Sequence, residues 1–278
     1  MKNKKVMALM ALSVVLLIGG CGTKTDGQAE SSVSVGSSAA ESSAEFQQKT
    51  EFIAVEVNSD FSAVLGETSI VSVKAENSGN DVTQTVTIVS GDVQEVIGEF
   101  GSVASIYVAK NAEGKSFVFV TCDYMSNDFV LFVYDVTAGQ LVKCDELSGA
   151  LEGEISTMKT LMVSERLDVL GTYYGACGYS LDANGKLTDK SEIYKIDSDA
   201  ELKLIKDLPA VLENGGSVLT AGNSIKVTGV YGDTVFFVVV GTEETGYIQY
   251  TVDEEEPWIH NIDGISEYEY FEMLPYSG

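Results

Sequence analysis

The sequence predicts an all-β protein made of antiparallel meanders, on three observations. Apolar residues recur with a period of two from Glu51 onward, and the runs that carry them are bounded by Asn, Asp, Gly and Ser. Almost no stretch carries a 3.6-residue apolar stripe, beyond short pieces such as VQEVIGEF (Val93 to Phe100). The meanders fit either a sandwich or a few propeller-like blades, because no internal repeat is strict enough to select the blades.

The chain begins with Lys2, Lys4 and Lys5, then an uncharged apolar run from Val6 to Ile18, which is the layout of a secretory signal. Spanning a bilayer takes roughly 20 apolar residues, and this run stops sooner, at Gly19 and Gly20. The stretch LIGGC (Leu17 to Cys21) resembles the lipobox of bacterial lipoproteins. That resemblance implies that residues 1–20 are removed as a signal peptide and that the Cys21 thiol carries a diacylglycerol. Lipid chains of this kind make a lasting anchor, so the implied location is the extracytoplasmic face of the cell membrane. Residues 21–50, with SSVSVGSSAAESSAE at their centre, hold too few apolar side chains to offset the entropy of ordering them. They are expected to be a disordered tether, and a coil of about 29 residues has an r.m.s. reach of roughly 30 Å.

Residues 51–206 are expected to form the main all-β domain. Val55, Val57 and Phe61 alternate with polar neighbours, as does TQTVTIV (Thr83 to Val89). The clearest pair is SFVFVTC (Ser116 to Cys122) with DFVLFVYDV (Asp128 to Val136). Both faces of each strand are apolar, so this hairpin should be central and covered on both sides. QLVKC (Gln140 to Cys144) completes the first meander, and a second begins at RLDVLGTYYG (Arg166 to Gly175), turns at Asn184-Gly185 and leaves along SEIYKID (Ser191 to Asp197). Asn-Gly is a type I′ hairpin signal. Asp182, Asn184 and Asp189 suggest a calcium loop, but Lys186 places a cation where an oxygen ligand is required. No residue is assigned to a metal or to a cofactor.

The texture changes near Asp207. KDLPAVLENGG reads as a linker over 207–216, with Pro209, Gly215 and Gly216. Residues 217–278 then carry SIKVTGV (Ser224 to Val230), VFFVVV (Val235 to Val240) and YIQYTV (Tyr247 to Val252). The pattern AGNSIKVTGVYGDTVFFVVVGTEETGYIQYTV resembles the bacterial SH3-like barrel, whose relatives bind cell-wall peptide or pack on a neighbouring domain. The proline-binding groove of eukaryotic SH3 domains is not implied, since its signature is absent. The aromatic tail (Trp258, Tyr268, Tyr270, Phe271, Tyr276) is expected to plug the barrel as core. The whole chain resembles lipoproteins of gut Firmicutes that end in a similar Tyr-Phe and Leu-Pro-Tyr element.

The formal charge is −25, and −28 once the three signal lysines are removed. Nucleic acid and anionic lipid both require clustered Lys and Arg, so neither is an expected partner. Cys122, Cys144 and Cys177 are an odd set, expected as buried thiols, with one bridge plus one thiol as the alternative. A Cys177, His260, Asn261 order is similar to that of wall-cutting cysteine peptidases, but GACGYS lacks their helix-opening nucleophile segment, and a strand offers a thiolate no helix N-terminus. Familiar solute-binding lipoproteins alternate helices with strands, unlike this chain. The reading is therefore a noncatalytic binding or scaffolding module at the cell surface, with a cell-wall component or a surface protein as its partner. The alternative is a cell-wall-acting cysteine hydrolase using Cys177 and His260. Cys21→Ser is expected to abolish incorporation of radiolabelled fatty acid and to leave uncleaved precursor or released protein; undiminished label would refute the anchor.

Overall fold

A computed structural model describes residues 52–79, 82–152, 160–188 and 193–276, and over these residues the chain is all β. The expected signal peptide, Cys21 and the tether lie outside them. β1 (Ile53–Ala54) and the single turn α1 (Ser62–Leu65) precede β2 (Val71–Asn77), β3 (Gln84–Ser90) and β4 (Val93–Phe100), an antiparallel three-stranded sheet. β5 (Ser102–Lys110), β6 (Ser116–Asp123), β7 (Phe129–Asp135) and β8 (Val142–Ser148) join β1 in a five-stranded sheet ordered β1-β5-β6-β7-β8. VQEVIGEF, the candidate helical piece, is the edge strand β4. It bends by a bulge opposite Val86 and Thr87, which blunts an otherwise open edge.

β6 and β7 have no polar face, and two cores form on their opposite sides. Val118 and Val120 of β6, with Phe132 and Tyr134 of β7, pack with Val73 and Ile88 of the three-stranded sheet. Phe117, Phe119, Leu131 and Val133 point the other way and meet Val163, Cys177 and Tyr179. The hairpin is central, as its unbroken apolar run predicts.

The remaining strands are β9 (Ala150–Glu152), β10 (Leu161–Asp168), β11 (Thr172–Leu181), β12 (Leu187–Thr188), β13 (Tyr194–Ile196), β14 (Leu202–Lys203), β15 (Leu208–Pro209), β16 (Val211–Leu212), β17 (Val218–Leu219), β18 (Ser224–Tyr231), β19 (Thr234–Val239), β20 (Thr245–Gln249), β21 (Thr251–Val252), β22 (His260–Ile262) and β23 (Ile265–Ser266). Ten of them make one sheet: the path β16-β20-β19-β18-β13-β11-β10-β9, with β12 on β11 and β14 on β18. β11 alternates a buried face (Tyr173, Cys177, Tyr179) with a half-open one (Tyr174, Ala176). Its buried face serves two cores, since Tyr173 joins the C-terminal core with Ile225, Val235 and Phe237, whereas Cys177 and Tyr179 join the core under β6 and β7.

Two expectations are corrected here. Residues 207–216 are not a free linker: they contain β15 and β16, which pair with β17 and β20, and they bury Leu208, Ala210 and Leu212. Nor do residues 217–278 close into a barrel. The β18-β19-β20 meander is present, but β18 continues the sheet through β13, and the β20 edge carries β16. Two-residue strands have too few positions to show a period, so Pro209 and Gly215-Gly216 outweighed them in the sequence.

The Asn184-Gly185 turn also differs from type I′, because only Gly185 is left-handed there (φ 84°). Asp182 caps this turn itself: its Oδ1 accepts the N–H groups of Asn184 (2.8 Å) and Lys186 (2.9 Å). A Cβ at Gly185 would lie 2.6 Å from the Phe117 ring and 2.8 Å from Cys144 Sγ. The bare glycine thus lets the hairpin tip rest on the five-stranded sheet, where the Leu187 N–H donates to Asp145 Oδ2 (2.8 Å).

Leu208 is wholly buried in the C-terminal core. Leu208→Ala is expected to lower the unfolding free energy by about 2–5 kcal/mol in urea titrations, the usual range for emptying a packed leucine site. A change near zero would restore the linker reading.

Candidate functional site

The sequence paired Cys177 with His260, and the structure puts them in different settings. Cys177 lies on β11 opposite Val163, with no exposed surface, inside the core under the central hairpin. A thiol so placed cannot meet a wall polymer without unfolding the strand. Cys122 is buried as well, which pushes its thiol up to about 12, and burial also raises that of half-buried Cys144. The three are thiols, in line with the buried-thiol expectation for Cys122 and Cys177.

His260 on β22 has a structural partner that sequence reading missed. Its Nδ1 lies 3.2 Å from Oε1 of Glu267, a carboxylate with no exposed surface. The same Oε1 accepts the Tyr276 hydroxyl (3.1 Å), while Oε2 accepts the Leu170 N–H (3.0 Å) from 97 residues away. A buried carboxylate is tolerable only when such donors replace its water. Burial, followed by the hydrogen bond with Tyr268 and the Glu267 charge, raises the Tyr276 phenol well above the usual range. Glu267 thereby ties the tail to the β10–β11 turn, where the Thr172 N–H also donates to Pro275 O (2.8 Å). The aromatic tail divides: Tyr270 and Phe271 are core, and Trp258, Tyr268 and Tyr276 are exposed.

The other face of His260 leads to a cleft. Its ring meets Tyr250 edge-on (4.9 Å between centroids, 88°), and Tyr250 forms a wall of an opening of about 570 Å³ where the chain passes from β20 to β21. Tyr247, Gln249, Asp233, Asp263 and Pro209 contribute to the same walls, and among the described residues no Lys or Arg lines it. The Tyr250 hydroxyl donates to Gly232 O (2.9 Å), fixing the ring. Two carboxylates beside two phenol rings suit a cation, which gains both charge pairing and attraction to the aromatic faces. Among the described residues, no group of three or more His, Cys, Asp or Glu is arranged to hold a metal ion. Asp233 and Tyr247 were visible only as turn and strand residues, because their convergence depends on the sheet change at Tyr250.

No protein-family model matches this chain, and no curated protein or solved structure is similar enough to it to count as a match.

Glu267→Ala would leave the His260, Tyr276 and Leu170 donors without their acceptor. The expected loss is about 3 kcal/mol in unfolding free energy by urea titration, the scale of breaking a buried charged network. Full stability in this variant would show that the network is dispensable.

Proposed function

We propose that this chain is a lipid-anchored, extracytoplasmic and noncatalytic binding module that holds an amine-bearing cell-wall component in the cleft beside Tyr247 and Tyr250. The observation that carries the reading is the composition of that cleft: Asp233 and Asp263 with two tyrosines and, among the described residues, no lining cation. The anchor rests on LIGGC and the apolar run before it. The lack of catalysis is supported by the placement of Cys177, buried on β11, and by the engagement of His260 with Glu267. A nucleophile needs a base beside it and a route for substrate, and neither residue offers both.

The wall peptide is the partner favoured by chemistry. Its diamino acid presents an ammonium group, and a strongly acidic protein attracts such groups over distance. Purified muropeptides incubated with the protein are expected to be retained on it with unchanged masses, and Tyr247→Ala is expected to reduce retention by about tenfold, the effect of losing one aromatic contact to a cation. New fragments that vanish in both Cys177→Ala and His260→Ala would overturn the noncatalytic reading in favour of a wall hydrolase.

A further inference from the structure

A second groove, distinct from the tyrosine cleft, runs between the five-stranded and ten-stranded sheets. It occupies about 380 Å³ and continues into a pocket of about 180 Å³ through shared walls at Asn127, Phe129, Ser164 and Tyr174. The main chamber lies within the range in which proteins hold small ligands, roughly 300–1,000 Å³, and junctions between sheets are common places for such sites.

Its walls combine three exposed or half-exposed aromatic rings with hydrogen-bonding groups. Tyr174 stands on the open face of β11, directly opposite Arg166 of β10. Tyr124 is 52% exposed and rests on Phe100 (4.9 Å between centroids), which holds it at the rim. Phe129 supplies the third ring. Arg166 is pinned by two carboxylates, Nη1 to Asp128 (3.0 Å) and Nε to Asp168 (3.2 Å), so its charge is balanced and it braces β10 against the β6–β7 loop. Glu146, whose Oε2 pairs with Lys143, and Glu165 add further carboxylates to the wall.

The rim is built in an unusual conformation. Met125 (φ 113°), Ser126 (φ 62°) and Asn127 (φ 62°) are three successive non-glycine residues with positive φ. Such residues persist where the surroundings hold them, and they gather at ligand sites. Here Met125 N–H donates to Asp123 Oδ1 (2.9 Å) and Tyr124 N–H to Asp128 O (2.9 Å).

We infer that this groove binds a neutral oligosaccharide. Pyranose rings present C–H faces that stack on aromatic side chains and an edge of hydroxyls that carboxylates and amides recognise. Asp128, Glu146 and Asn127 provide those acceptors and donors next to Tyr124, Phe129 and Tyr174. Anionic ligands are disfavoured, because the carboxylates of the wall outnumber Arg166, whose charge Asp128 and Asp168 already balance.

The test is isothermal titration of the full chain in detergent with four neutral tetrasaccharides: chitotetraose, maltotetraose, cellotetraose and xylotetraose. Saturable binding of at least one is expected. Tyr124→Ala and Tyr174→Ala should each weaken it by about tenfold or more, as loss of a stacking ring implies, while Tyr247→Ala in the other cleft should not. Tyr124 is exposed, so its variant keeps the test valid even if Tyr174→Ala fails to fold. Binding of chitotetraose alone would indicate wall glycan as the source, and binding of a glucan or xylan would indicate saccharides from outside the cell. No binding to any of the four at millimolar concentration would overturn the inference. So would binding that survives Tyr124→Ala, or binding lost only in Tyr247→Ala.

Discussion

The structure depends on one constraint: β6 and β7 are apolar on both faces, so neither face can be left in water. Each fully buried large side chain is worth roughly 1.5–3 kcal/mol relative to exposure, and the eight residues named on the two faces are all buried. One sheet can cover one side only. The three-stranded sheet covers the first side and the β10–β11 pair covers the second. Because β11 is long, covering the hairpin with its C-terminal half leaves Tyr173 to seed the C-terminal core. The order of the layers thus follows from the side-chain alternation of two strands and the length of a third.

Apolar burial does not by itself fix how the layers register, and polar fasteners at two places supply that. At the Asp182 turn, the bare Gly185 lets the backbone approach the Phe117 ring and Cys144, and the Asp145 carboxylate accepts the Leu187 N–H. At the other end, Glu267 gathers donors from His260, Tyr276 and Leu170. A hydrogen bond nets only about 1 kcal/mol, whereas an orphaned buried partner costs about 1–3 kcal/mol. These contacts therefore act chiefly by penalising the wrong arrangement. The same asymmetry explains why the only histidine of the chain sits beside a carboxylate and edge-on to Tyr250: that position satisfies both its polar and its aromatic character.

Legibility in the sequence followed the length and regularity of each pattern. SFVFVTC and DFVLFVYDV declared a doubly covered hairpin, and TQTVTIV declared a half-buried strand, because seven or more positions repeat one rule. Leu208 and Leu212 were misplaced, since a strand of two residues shows no alternation and the nearby Pro and Gly suggested a linker. β18 to β20 were legible as strands, but their closure was not, because pairing with β13 is set by tertiary contact and leaves no mark in either segment. The clefts were illegible for a related reason. Arg166, opposite Tyr174, meets Asp128 only across strands distant in the chain, and Glu267 reaches Leu170 over 97 residues. Single residues carry chemistry, but convergence is a property of the fold.

On the proposed reading, the acidic surface and the tether have complementary parts. Long-range attraction raises the local concentration of cationic groups, yet at physiological salt it decays over about 8 Å, so affinity has to come from contacts inside the clefts. Shallow sites built from two or three aromatic rings bind weakly one at a time. Fixing such a module to the membrane confines it near its polymer, and a second site on the same chain turns the next contact into an intramolecular event, with a gain of about 10²–10⁴ in avidity where the geometry permits both. On that reading, two weak clefts carried on one membrane-attached β scaffold suffice for retention at a surface.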